Sequence, residues 1–223
     1  MTKAEKKEYH RILNEPPKRT ILEEIGNAIT HGIGAVLAII ALVFMLIKSD
    51  TSLKLTASLF YGLSLIFMML MSTLYHSFRS GSTVKRIWRR FDYSSIYLLI
   101  GGTFAPLFLV YWGNTLGIVL FCVQWALIIT GITMVAVFGP GRLKWLNFPL
   151  FFLIGWSGIM FIPDWIHNNL NLLWWILGGG IIYSLGMIPF CFNKVKSMHF
   201  IWHIFVLAGA IIQFLGIYIN LYI

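Results

Sequence analysis

Apolar residues fall into seven long runs, at about 24–47, 55–78, 91–112, 116–138, 146–162, 172–192 and 198–222. A helix needs about 20 apolar residues to cross the hydrocarbon core of a bilayer, and each run but the fifth reaches that length. The fifth, at roughly 17 residues, is flanked by Trp145 and Trp165, which can anchor it at the interfaces. Between the runs lie polar or helix-breaking stretches: 48–54 with Ser-Asp-Thr-Ser, 79–90, Gly113-Asn114, Gly139-Pro140-Gly141, 163–171 and 193–197. The pattern predicts an all-α membrane protein, a bundle of seven transmembrane helices spanning residues 24–223, preceded by a polar tail over 1–23. The first run stays in the protein, because it is long enough to span and no cleavable signal peptide precedes it. The tail carries Tyr9, Ile12 and Leu13 among charges, followed by Pro16-Pro17. It reads equally as a short interfacial helix stopped by the prolines or as a disordered segment.

Composition agrees. Hydrophobic residues make up 58% and charged residues 11% of the chain, with mean hydropathy +0.80. A soluble fold of this size could not hide so much apolar surface from water. The formal charge of +9 would otherwise suggest nucleic acid, but its distribution gives a topological reason. With the amino terminus inside, fifteen of the seventeen Lys and Arg residues lie on the inner side and only Lys48 and Lys54 outside. The expected orientation is therefore amino terminus cytoplasmic, carboxyl terminus outside, in a multi-pass protein of the cell membrane with no nucleic-acid partner. Cys122 and Cys191 fall in apolar runs without pairing or ligand spacing and read as packing residues. Pro106, Pro189 and Gly178–Gly180 lie within runs and read as packing features too.

Ionisable residues inside membrane spans are costly, so each one needs a reason. His31, His76, Asp92, His199 and His203 lie within runs, with Glu23 and Glu24 at the start of the first. On the expected topology, His76 lies near the inner end of the second span, Asp92 at the inner start of the third, and His199 and His203 in the first turns of the seventh. Four costly residues from three helices thus meet at one leaflet. The i, i+4 spacing of His199 and His203 puts both imidazoles on one face, about 6 Å apart along the axis. Three neutral imidazoles and a carboxylate suit Zn²⁺. Asp92 would serve either as a fourth ligand or as the holder of a zinc-bound water. Ser72 stands one turn before His76 on the same face. Glu24, Asn27 and His31 form one polar stripe at i, i+3, i+7, and helix capping or interfacial hydrogen bonding would also account for them.

These landmarks, Glu23-Glu24-Ile-Gly-Asn27-Ala-Ile-Thr-His31-Gly, Ser72-x3-His76, Asp92 followed by Ile96-Tyr-Leu-Leu-Ile-Gly-Gly-Thr-Phe-Ala-Pro106, and His199-x3-His203, resemble the hemolysin III family. That family sits in the superfamily of the progestin and adipoQ receptors, with the alkaline ceramidases as more distant relatives. The resemblance runs from Glu23 to about Leu215. It implies zinc on His76, His199 and His203, with Asp92 orienting its water and Ser72 in support. Many such relatives carry histidine after the aspartate, where this chain has Tyr93. The implied activity is hydrolysis of a membrane lipid amide or ester, fatty acyl or ceramide-like, with Asp92 as general base. Two alternatives are a channel-forming cytolysin and a membrane-homeostasis or signalling protein in which zinc is structural.

The charge asymmetry makes a direct prediction. Alkaline phosphatase fused after Ile223 should be active and a fluorescent protein fused there dark; the opposite pair of results would reverse the topology.

Overall fold

The computed structural model describes residues 1–192 and 195–223. Part of the expected break at 193–197, including Lys194, lies outside the described residues. A short helix α1 (Lys3–Leu13) precedes α2 (Ile21–Ile47), α3 (Ser52–Ser77) and α4 (Thr83–Pro106). After α4 come α5 (Thr115–Phe138), α6 (Lys144–Gly155), α7 (Ile162–Asn168), α8 (Leu170–Cys191) and α9 (Met198–Leu221). The described residues contain seven helices long and apolar enough to cross a membrane, the fifth being α6 and α7 taken together as Lys144–Asn168. Their outward faces carry exposed Ile, Leu, Val and Phe, such as Ile33, Val43, Ile129 and Leu153, a surface that suits lipid and not water. Cys122 and Cys191 are exposed on it too, so they face outward and do not fill the core.

Two boundaries differ from the hydropathy pattern. The stretch 79–90 was expected as a loop, yet α4 begins at Thr83 with the Ser82 hydroxyl accepting from the Lys85 amide at 3.1 Å. Lys and Arg are good helix formers and their long stems bury easily, so charge lowered the hydropathy there without ending the helix. The fifth span likewise runs on to Asn168. It is broken midway by a 3₁₀ stretch, Trp156–Phe161, whose polar groups are met locally. Ser157 donates to the Ile154 carbonyl at 2.6 Å, and Trp156 Nε1 donates to Ser184 Oγ at 3.1 Å.

Pro106 has no N–H to give the helical ladder. Immediately after it the backbone widens into a π-helical segment, Leu107–Trp112, closed by Gly113 in the left-handed region at φ 56°. Around this end of the bundle Phe108, Trp112, Phe161 and Trp165 pack together, the last two stacked at 4.9 Å. Tyr111 donates to Asp164 at 2.5 Å. The tail forms α1, capped by Thr2 with Glu5 reaching back. Asn14 then ties it to the bundle, donating to the Phe138 carbonyl and accepting from the Gly141 amide.

Between spans, lipid provides no hydrophobic drive to associate, so small residues that allow close approach do much of the work. Of Gly178–Gly180 only Gly179 makes such a contact, since a Cβ there would meet the Gln213 side chain at 2.3 Å. Gly34 is wedged between two neighbours, with Met69 of α3 at 2.7 Å and Leu207 of α9 at 3.1 Å from where its Cβ would be.

At Gly117 a Cβ would lie 2.2 Å from the Phe108 carbonyl of the π segment, a backbone atom that cannot swing aside. Gly117→Ala should destabilise the bundle by about 1–3 kcal/mol, seen as a lower Tm in detergent. Gly155→Ala, where a Cβ meets nothing within 4 Å, should leave Tm unchanged or raise it.

Candidate metal centre

Three histidines converge where the end of α3 meets the beginning of α9. His76 lies in the last turn of α3, and α9 supplies His199 and His203 from successive turns of one face. All three side chains are buried. His199 Nε2 lies 3.3 Å from His76 Nε2 and 3.2 Å from His203 Nε2. One ligating atom from each residue falls within 4.8 Å of the others, so the group could hold a metal ion.

The donor chemistry fits a cation. The Glu24 carboxylate meets His76 Nδ1 at 2.6 Å. A carboxylate accepts, so Nδ1 carries the proton and the Nε2 lone pair points into the cluster. Asn27 Nδ2 lies 3.3 Å from the same nitrogen; with the Nδ1 proton given to Glu24 that amide cannot donate there, so the Glu24 contact alone fixes the tautomer. With the His76 Nε2 lone pair turned inward, a cation that also takes the Nε2 lone pairs of His199 and His203 would satisfy all three rings at once.

Glu24 does a second job. Its other oxygen is 2.9 Å from Lys85 Nζ, whose side chain is fully buried. Lys85 also donates to the Phe78 carbonyl at 3.0 Å and lies 4.8 Å from the centre of the Tyr75 ring. A carboxylate facing a neutral imidazole in an apolar setting would be an uncompensated charge; Lys85 compensates it. The arrangement runs Lys85, Glu24, His76, cluster, and it draws on α4, α2 and α3 in turn. Such partners orient a ligating ring and raise its basicity.

Not every expected residue joins the cluster. Asp92 stands two turns beyond Lys85 on α4 and is not a member of the three-histidine group. The Ser72 hydroxyl, buried one turn before His76 on α3, is within hydrogen-bonding reach of the Asp92 carboxyl. His31 is closer to the group than its open reading in the sequence required. Its ring stacks on His203 at 3.9 Å and 22°, with neither nitrogen hydrogen-bonded within the described residues. The stripe of Glu24, Asn27 and His31 therefore faces the cluster along its whole length. Lys85 was missed because it falls in what hydropathy reads as a loop; the Ser82 cap three residues before it was the available sign.

Beside the cluster runs a narrow cavity of about 130 Å³ among α3, α4, α6, α8 and α9. Its wall is almost wholly apolar, with Phe190 and Trp202 at the end nearest the histidines; the Phe190 and His199 rings are 6.2 Å apart. Thr103, Tyr183 and Gln213 give it a few polar points further along.

A family profile described as "Haemolysin-III related" matches residues 19–214. The chain is 38% identical over 201 residues to "Hemolysin-3" of Bacillus cereus, covering 87% of this chain and 90% of that protein. It is 37% identical over 200 residues to "Hemolysin-3 homolog" of Bacillus subtilis (strain 168), covering 87% and 92%. The "Monocyte to macrophage differentiation factor" of Homo sapiens is 27% identical over 214 residues, covering 92% of this chain and 87% of that one.

The Glu24 contacts yield a test. Glu24→Gln keeps the shape but removes the charge that holds His76, and should weaken metal affinity about 10–100-fold. It should also cost stability, because Lys85 is left unpaired; adding Lys85→Met should restore much of the Tm without restoring affinity. Metal titration and thermal melts of the single and double variants separate the two effects.

Proposed function

Because the chain belongs to the haemolysin-III-related family, we propose that it holds zinc on His76, His199 and His203 and hydrolyses an amide or ester of a membrane lipid. The observation that carries this reading is the spacing of the imidazoles. Zn–N bonds of about 2.0–2.1 Å in a tetrahedron set neighbouring nitrogens about 3.3–3.4 Å apart; the two observed separations are 3.3 and 3.2 Å. Three protein nitrogens leave a fourth position for water, the pattern of catalytic sites. Bound there, zinc would supply Lewis acidity toward a carbonyl oxygen and lower the pKa of a water.

The protein's own groups take the remaining roles. As general base the Asp92 carboxylate would accept the proton of the attacking water and return it to the leaving amine or alkoxide as the acyl C–N or C–O bond breaks. Ser72 stands beside Asp92, and its single hydroxyl proton is the available donor toward a developing oxyanion. Glu24 keeps the His76 proton on Nδ1, so that Nε2 stays a ligand. The apolar cavity past Phe190 and Trp202 suits an acyl chain with its carbonyl at the histidines. The basic asymmetry of the loops supports placing the site at the cytoplasmic leaflet of the cell membrane.

A second reading is a channel-forming cytolysin, for which the word hemolysin in the names of the Bacillus relatives is the support. A third, in which zinc is purely structural and the protein serves membrane homeostasis, uses the same ligands without turnover.

The decisive comparison sets wild type beside Asp92→Asn and His199→Ala, measuring zinc content, Tm and hydrolysis of ceramides and acyl amides. His199→Ala should lose zinc. Asp92→Asn should keep zinc and fold while losing about 10²–10⁴-fold in rate. Zinc-replete wild type inactive on a broad lipid panel would discard the hydrolase reading in favour of the cytolytic or structural one.

A further inference from the structure

On the same end face as the metal centre, but apart from it, α1 lies across the beginning of α4 and the end of α5 and roofs a groove of about 800 Å³. Its cations are Lys7 and Arg11 from α1, Arg86 and Arg90 from α4, and Arg142 from the turn after α5. Glu8 is the one carboxylate in the lining. It is taken by Arg11 at 2.7 Å, and the neighbouring Glu15 is taken by Arg86 at 3.2 Å. Among the described residues Lys7, Arg90 and Arg142 have no acidic partner. Arg90 donates to the Ala136 carbonyl and Arg142 lies over the Phe138 ring at 5.0 Å, so both guanidinium groups are held in place without being neutralised.

The roof is fixed as well. Arg89 donates to the carbonyls of Asn14 and Glu15 at 2.9 and 3.1 Å, and the Asn14 side chain bonds Phe138 and Gly141. A helix carrying Lys7 and Arg11 is thus pinned against a second set of cations. Bringing like charges together costs free energy unless an anion joins them. His10 sits in the same field with neither ring nitrogen partnered. Desolvation, with the nearby Arg142 and Lys6 cations, lowers its pKa from the ordinary histidine value.

We propose that this groove binds the phosphate of an anionic phospholipid. The chemistry required is a phosphate oxyanion, which guanidinium groups clasp in pairs. A lipid is favoured over free phosphate by what borders the cations. Ile87, Val137 and Phe138 line the same groove and are exposed, and Arg86, Arg90 and Phe138 belong to membrane spans. The groove therefore opens at the level of lipid headgroups and offers apolar surface to the upper part of an acyl chain. This inference is independent of the metal and of any hydrolysis.

The test uses full-length protein in neutral detergent with phosphatidylglycerol, phosphatidylcholine or inorganic phosphate added in turn. Native mass spectrometry counts retained lipid, and zinc content is read alongside. Wild type should retain phosphatidylglycerol in preference to phosphatidylcholine, and less of it as salt rises. Each basic residue near an anionic surface is worth about fivefold in binding, so Arg90→Gln with Arg142→Gln should weaken retention roughly 25-fold. Lys7→Gln, on the exposed roof helix, should weaken it about fivefold with no effect on folding, and Lys54→Gln at the far end should leave it unchanged. Equal retention of both lipids by wild type, or no loss in Lys7→Gln, overturns the proposal. Binding of inorganic phosphate without selective retention of phosphatidylglycerol overturns it too, in favour of a soluble anion.

Discussion

Three imidazoles can meet only if α3 and α9, whose histidines lie 123 residues apart in sequence, are held at one depth in the bundle. The piece that sets this depth is α2, which packs against both. Three residues beyond His31 it presents Gly34, pressed between Met69 and Leu207. Met69 lies two turns before His76 and Leu207 one turn after His203, so the wedge and the cluster are neighbouring layers of one three-helix contact. In a bilayer, where slippage along a helix axis exposes no more apolar surface to water than before, such close steric contacts and the few polar ones must fix the register. The Glu24 contact to His76 and the Asn27 beside it fix it a second time. At the far end Ser58 of α3 bridges Ser49 and Tyr222, which lie just past the ends of α2 and α9.

The buried Lys85–Glu24 pair extends that constraint to α4. A pair of this kind adds little net stability compared with apolar packing, but breaking one half costs about 3–5 kcal/mol. Its effect here is to make the placement of α4 a condition for the charge on Glu24, and through Glu24 for the tautomer of His76. The polar residues of four helices are therefore one connected set, even though only three of them point their nitrogens at a common centre.

Much of this was legible in the sequence, for identifiable reasons. The seven spans follow from runs of about 20 apolar residues, a signal that lipid makes nearly unambiguous. The convergence of His76, His199 and His203 follows from depth, which span order and direction supply. What depth cannot supply is rotation about each helix axis. That is why Glu24, Asn27 and His31 were visible as a stripe but not as contacts of His76 and His203. Nor does depth say which way the Asp92 carboxyl turns relative to the three-histidine group. The start of α4 was hidden because a hydropathy scale scores Lys85 and Arg89 as solvent-facing, although both are buried. The docking of α1 rests on Asn14 contacts with residues more than a hundred positions away, beyond the reach of local pattern.

The histidines are divided unevenly between the first-made and last-made parts of the chain. One imidazole, with its carboxylate and lysine, is complete once α2, α3 and α4 have entered the membrane; the other two arrive together on α9. A single inward imidazole is a poor metal ligand by itself, whereas an i, i+4 pair added to it makes a chelate. Along the chain the charge-balanced half-site comes first, and a metal that needs all three imidazoles could be held only once α9 is in place. Capture would then act as a latch on the finished bundle, drawing its last segment to its second one after every intervening helix is in place.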